Sequence, residues 1–353
     1  MQRTAAAVPA VMLHPRSAIL FASILGPACS SPPAARVPAA TSATAAPAPA
    51  DPSVPAVFVP GVISGPSPDS GPAFSPDGDT VYFTRDDAIA VSHRRGGSWS
   101  EPEVAPFSGR WGDWEPAMAP DGSFLIFASN RPAHEPGAAL DGEWGYPKRE
   151  TFPGHGANLW RVERRGDGWG PPVRLPDTVN RGTAVWEPWI VGDGSLYFMD
   201  AHLPGRFRIY RSQLDHGTYA PAEPVAFSDG TWSDVDPTVA PDESFIVIAS
   251  NRPPMDGKGH DLYVALRTAG GWGPLVHLDA PVSGATSNEI EPRLGPDHHT
   301  LYFTSDRTAP SPFPRELAET AAELRRGGTW NNGGNNIWQV DLAPSLARIR
   351  AGS

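Results

Sequence analysis

Four acidic residues, Glu115, Glu187, Asp236 and Glu291, each stand directly before a proline in short, mostly apolar stretches. Gathered around one opening, such carboxylates would bind a cation or a sugar, or supply the acid and base that cleave a glycosidic bond. Three of them are followed 16 residues later by an arginine: Arg131, Arg252 and Arg307. A hairpin spanning that interval returns the chain to the same end of a sheet, so each arginine is expected to neutralise its own or a neighbouring acid as a structural ion pair. Glu187 breaks the pattern, because the side chains near that offset are His202 and Leu203. Glu187 with His202 is therefore the pair singled out for a role beyond scaffolding. Trp114 and Trp186 immediately precede Glu115 and Glu187. With Trp111, Trp144 and Tyr146 they would form an aromatic platform for a sugar or peptide, packing between sheets being their plainer use.

Other chemistry is sparse. No glycine-rich phosphate loop and no G-x-S-x-G nucleophile turn occurs. His298-His299 falls in a turn, and His134 and His155, with Glu135 and Asp141, follow no metal-ligand spacing. No catalytic residue, cofactor or metal is assigned.

The elements that position the acids repeat. Units begin at Gly71-Pro72, Glu115-Pro116, Glu187-Pro188, Asp236-Pro237 and Glu291-Pro292, with spacings of 44, 72, 49 and 55 residues. Each opens with a short strand and a turn: SPDG, APDG, VGDG, APDE or GPDH. Proline presets the second turn position, Asp bonds the local backbone, and Gly suits the last position. The third copy lacks the proline and the last two lack the glycine, so their turns are expected to differ. A second strand follows (TVYFTR, SFLIFAS, SLYFMD, SFIVIAS, TLYFTS), then a third, and in most units a Gly-aromatic-x-x-Pro segment leads to a fourth. Trp99, Trp169 and Trp272 recur in that segment and read as core.

Four short strands about every 50 residues fit the blades of a β-propeller. The E-P-x-x-S-P-D-G-x-x-L-Y-F repeat, with its later G-W-x-x-P, resembles the WD-like repeats of TolB-type propellers over residues 55–342. That resemblance implies the all-β propeller fold and little about function. The last unit lacks its fourth strand, and Ala56 to Ile63 matches the end of a blade. The expected architecture is five four-stranded blades closed by an N-terminal strand. Six blades, the number associated with TolB, is the alternative, but the stretch 132–157 that lengthens the second unit shows neither another Pro-Asp-Gly turn nor a strand pair.

Antiparallel strands send the Pro-Asp-Gly turns to one face. The starts of the first strands and the connections between second and third strands go to the other. Two of those connections, 132–157 and 308–334, are long, and a short helix is expected after Pro314. Function tends to sit on such loops.

The remaining signals concern address and partner class. Residues 12–31 combine Arg16, an apolar run from Ser17 to Leu25, and small residues before Cys29, the sole cysteine. This is the layout of a secretory signal peptide, and it resembles a lipoprotein cleavage site, which implies lipidation of Cys29. The expected domains are a signal peptide (1–29), an Ala/Pro-rich disordered tether (30–55), one propeller (56–345) and a tail (346–353). The net charge of −11 argues against a nucleic-acid partner, which demands basic patches, and none is expected. The expected protein is a monomeric, exported, periplasmic or outer-membrane lipoprotein, touching the membrane only through its anchor. It is expected to bind an envelope protein or glycan without catalysis, the alternative being a carbohydrate-active hydrolase or lyase using the four acids.

Overall fold

Strands rich in Val, Ile, Phe and Tyr, interrupted by turn residues at short intervals, can satisfy their backbone only by pairing with near neighbours in sequence. The computed structural model describes residues 51–353, apart from 202–205, 256–258, 285, 310, 312 and 353. Cys29, the signal peptide, residues 30–50 of the tether and His202 lie outside the described residues.

The chain is a five-bladed β-propeller. Blade I runs outward from Asp69–Phe74 through Thr80–Arg85 and Ala88–Arg95 to Glu103–Val104. Blade II holds Asp113–Met118, Phe124–Ser129, Asn158–Arg165 and Val173–Arg174. Blade III holds Val185–Ile190, Leu196–Asp200, Arg208–Ser212 and Glu223–Pro224. Blade IV holds Asp234–Val239, Phe245–Ser250, Asp261–Thr268 and Val276–His277. In blade V, Glu289–Leu294, Thr300–Ser305 and Asn336–Asp341 are completed by Ala56–Val57 from the start of the domain, with Ala56 opposite Gln339. The N-terminal closure read from the sequence is therefore present.

The stretch 132–157 is not a blade, but it does contain a strand pair. Gly142–Trp144 pairs with Glu150–Phe152 in a small hairpin. Helix α1, Leu317–Gly327, forms in the other long connection. Helix α2, Ala343–Gly352, occupies the stretch expected as a tail, and its Leu346 is buried against blades IV and V. Ordered chain starts before Ala56, since the Pro52 carbonyl accepts a hydrogen bond from the Asp341 amide.

Five hydrophobic clusters fill the five seams between blades. Repeated tryptophans seal three of them. Trp169 donates its indole N–H to the Tyr82 hydroxyl of blade I. Trp272 meets Tyr197 edge-on, and Trp99 packs on Phe58, which packs on Tyr302.

The turns are more alike than their sequences. Glu243 (φ 55°) and His298 (φ 61°) adopt the left-handed conformation that Gly78 and Gly122 adopt in the first copies. Glu243 uses its place to accept hydrogen bonds from the Tyr197 hydroxyl and Arg211 Nε of blade III. The missing proline in blade III has a direct cause. The Gly192 amide donates to the Pro241 carbonyl at 2.8 Å, and proline has no N–H to give. A Cβ there would lie only 2.7 Å from that carbonyl oxygen.

The arginines bind different acids from those the spacing suggested. Arg131 pairs with Asp113 at 2.5 Å, Arg252 with Asp234 at 2.6 Å and Arg307 with Glu289 at 2.7 Å, not with Glu115, Asp236 and Glu291. Asp113, Asp234 and Glu289 lie opposite Ser129, Ser250 and Ser305 in the ladder, before the bulge that displaces the axial acid, so the residue at the strand's start meets the returning hairpin. Ser129, Ser250 and Ser305 each bridge their pair. Blade I repeats the contact with Asp69 and Arg85. Blade III has Val185 at the acid position and uses Asp200 with Arg181 instead. Three of these arginines also bond carbonyls of the loop entering the blade: Arg85 those of Val62 and Ile63, Arg131 that of Phe107, and Arg307 those of Pro281 and Val282. Losing one partner of a buried pair costs about 3–5 kcal/mol. A double-mutant cycle by denaturant unfolding should therefore give strong coupling, about 2–3 kcal/mol, for Asp113 with Arg131, and less than about 0.5 kcal/mol for Glu115 with Arg131.

Candidate functional site

The third residue of every inner strand lies at the propeller axis in the left-handed region: Gly71 (φ 55°), Glu115 (56°), Glu187 (54°), Asp236 (55°) and Glu291 (49°). A register shift accompanies each of them. Such a β-bulge leaves the odd residue out of its own ladder, and its amide is then free to bond elsewhere. The Glu187 amide donates to Glu115 Oε2 at 2.7 Å, and the Glu291 amide donates to Asp236 Oδ2 at 3.0 Å. The Glu115 amide donates to the Thr84 hydroxyl. A non-glycine residue in this conformation costs about 1–2 kcal/mol, so four such acids mark a strained centre held by its surroundings.

Glu187 is not unpaired. Fully buried, it forms an ion pair with Arg293 of blade V, which is also fully buried. Sequence reasoning missed Arg293. Its signal was available, since the equivalent positions hold Ala73, Ala117, Trp189 and Thr238, none of them charged. His202, the partner expected for Glu187, lies outside the described residues. Among the described residues the acids meet one another and the Arg293 guanidinium.

Their electrostatics follow. Burial, then the neighbouring Glu187 and Glu291 charges, hold the Glu115 carboxyl well above the ordinary carboxylate range. Asp236 is raised by the same causes. Glu291 is pushed up to about 8, by burial first and the Glu187 charge second. Burial opposes the Arg293 charge, but the four surrounding carboxylates outweigh it and raise its pKa.

The ring is asymmetric. Glu187 and Asp236 are buried, whereas Glu115 and Glu291, on either side of Gly71, keep a small accessible edge. A Cβ on Gly71 would approach Glu291 Oε2 to 3.0 Å and the Glu115 Cα to 3.6 Å. Gly71 thus leaves a notch where a fifth acid would crowd the other two.

Trp114 and Trp186 meet at 5.1 Å between ring centroids. Trp144, from the inserted hairpin, meets Trp186 edge-on at 6.4 Å, stacks on Phe152 at 4.2 Å and approaches Phe207. These rings are partly buried. Tyr146 remains 62% exposed beneath the Arg206 guanidinium, and Trp111 turns to Glu135 instead. Among the described residues no His, Cys, Asp and Glu group is arranged to hold a metal ion. A cleft of about 870 Å³ lies away from the axis at the seam of blades V and I, beside Val57, Trp99 and Trp338.

No family model matches the chain, and no curated protein matches it. Solved structures do. A putative TolB from Agrobacterium tumefaciens is 16% identical with a TM-score of 0.45, over 68% of this chain and 70% of that one. A Xanthomonas campestris gluconolactonase is 13% identical with a TM-score of 0.47, over 76% and 84%. A thermostable family-43 glycoside hydrolase is 12% identical with a TM-score of 0.44, over 68% and 83%. The likeness is one of fold.

The raised pKa of Glu291 has a stability consequence. The folded protein holds this proton more tightly than the unfolded chain does, so its contribution is full below about pH 4.5 and is lost as pH rises through about 8. The melting temperature should fall by on the order of 5 °C between pH 5 and pH 9. Glu291→Gln, which cannot ionise, should flatten much of that dependence in thermal scans.

Proposed function

We propose that the protein is an exported, non-catalytic binding module that engages an envelope protein or glycan through the face carrying the 132–157 and 308–334 connections. The observation that carries this reading is the aromatic assembly of Trp114, Trp144 and Trp186. It fixes the inserted hairpin onto blades II and III and leaves aromatic surface open on that face. A rigid platform of this kind costs a ligand little ordering entropy, and aromatic anchors dominate binding energies at interfaces. The signal-peptide layout and Cys29 fit a propeller held at a membrane by a lipid and a tether. Among the described residues no helix is long and apolar enough to cross a membrane.

Capture from envelope extracts with immobilised propeller supplies the test. Tyr146→Ala, a change at an exposed ring, and Trp144→Ala should each weaken retention of the captured partner at least tenfold with an unchanged fold. Retention equal to wild type in both variants would remove the loop face from consideration.

A second reading is favoured by one observation. Glu115 and Glu291 flank the Gly71 notch, keep an accessible edge and, among the described residues, accept no arginine hydrogen bond, while their raised pKa values suit a proton donor. A carbohydrate-active enzyme would use this pair. Hydrolysis of a glycoside panel by wild type, lowered at least a hundredfold in Glu115→Gln and in Glu291→Gln, would replace the binding reading with this one.

A further inference from the structure

The axis opens a second time, on the face of the Pro-Asp-Gly turns, opposite the face invoked above. There the five blades enclose a well of about 230 Å³, its wall formed by Phe74, Met118, Pro120, Trp189, Pro241 and Leu294 among others. The lining is largely apolar. The Arg293 guanidinium lies 5.8 Å from the centroid of Trp189, on which the well rests.

The size is selective. Sites for drug-sized ligands run to roughly 300–1,000 Å³, whereas an apolar cavity of about 150 Å³ suffices for benzene. This well therefore admits one ring, or a short branched chain, and excludes an oligosaccharide.

The rim supplies charge. Pro76, Pro120, Pro241 and Pro296 line the well, and each is followed at once by an exposed aspartate: Asp77, Asp121, Asp242 and Asp297. Blade III adds exposed Asp193. Hydrogen bonds from Ser75, Ser123 and Ser244 keep Asp77, Asp121 and Asp242 below the usual carboxylate range. Thr300 and the nearby backbone do the same for Asp297 against its burial. The counter-charges near these acids are Arg161, Arg164 and Arg211 of third strands, Arg350 of α2 beside Asp242 and His299 beside Asp297, and His298 itself lines the well. The collar is also rigid, because neighbouring turns interlock: Gly122 faces Pro76 and Gly78 faces Pro296. An apolar hollow bordered by turns that carry carboxylates, of which Asp77 and Asp297 face the seam of blades V and I, complements a molecule with an apolar body and a positive end.

We infer that this well is a binding site for a small organic cation, a single aromatic ring or short hydrocarbon bearing an amine. The apolar body would displace water from the well while the ammonium stays at the aspartate rim. The site stands independently of the loop face and of any partner there.

Isothermal titration of the full chain with phenethylamine tests it, with phenylacetate and benzyl alcohol as same-ring comparisons. Saturable one-to-one binding of the amine is expected, at least tenfold tighter than that of the carboxylate. Met118→Trp, which fills the well, should reduce amine affinity at least tenfold. Asp77→Asn with Asp242→Asn keeps an oxygen for each turn bond and should erase most of the preference for amine over alcohol. Absence of saturable amine binding, equal binding of phenylacetate, or full binding by folded Met118→Trp would overturn the proposal. If Met118→Trp fails to fold, the aspartate pair decides: an unchanged amine preference overturns it.

Discussion

The propeller depends on one backbone constraint repeated around its axis. Five strands must converge without their polar backbones being stranded in a dry centre. Each solves this by turning one residue into the left-handed region, which takes its amide out of its own ladder. Where that residue is acidic, its carboxylate can receive the amide of the next blade, as Glu115 does from Glu187 and Asp236 from Glu291. Local strain is thereby exchanged for a bond between blades that hydrophobic seams alone would not direct. Arg293 pairs with Glu187 and limits the charge that accumulates, while burial favours protons on Glu115, Asp236 and Glu291.

Away from the axis the same division of labour recurs. Apolar clusters supply the bulk of the adhesion between blades, and polar contacts fix the register. The arginine–acid clamps at the strand starts tie the hairpins of blades I, II and V to the loops that enter them. Deviations from the repeat have local reasons. Gly192 replaces proline because its amide is needed by Pro241, and Arg181 with Asp200 restores a clamp that Val185 cannot make. A repeat of this kind tolerates sequence change wherever a second residue can perform the same contact.

Much of this was legible in the sequence. The five units, the closing strand and the role of Trp99, Trp169 and Trp272 follow from spacing, because turn chemistry and strand period act over a few residues. The ion pairs were misassigned by two positions, since a bulge next to the acids shifts the alternation and no residue type announces it. Arg293 went unnoticed because its partner, Glu187, lies 106 residues away in sequence. The hairpin within 132–157 was likewise hidden. Its short strands carry little pattern of their own and are held by Trp144 against Trp186.

The closing strand gives the molecule a mechanical polarity. Only Ala56 and Val57 complete the last blade, seconded by the Phe58 amide and the Ser64 hydroxyl, which both reach the Ile337 carbonyl. Tension entering from the N-terminal side falls first on this clasp, and the other four blades, each continuous in the chain, bear none until it parts. The ring thus has a designated point of failure. Behind it Arg85 holds the Val62 and Ile63 carbonyls, the next contacts along the chain before blade I.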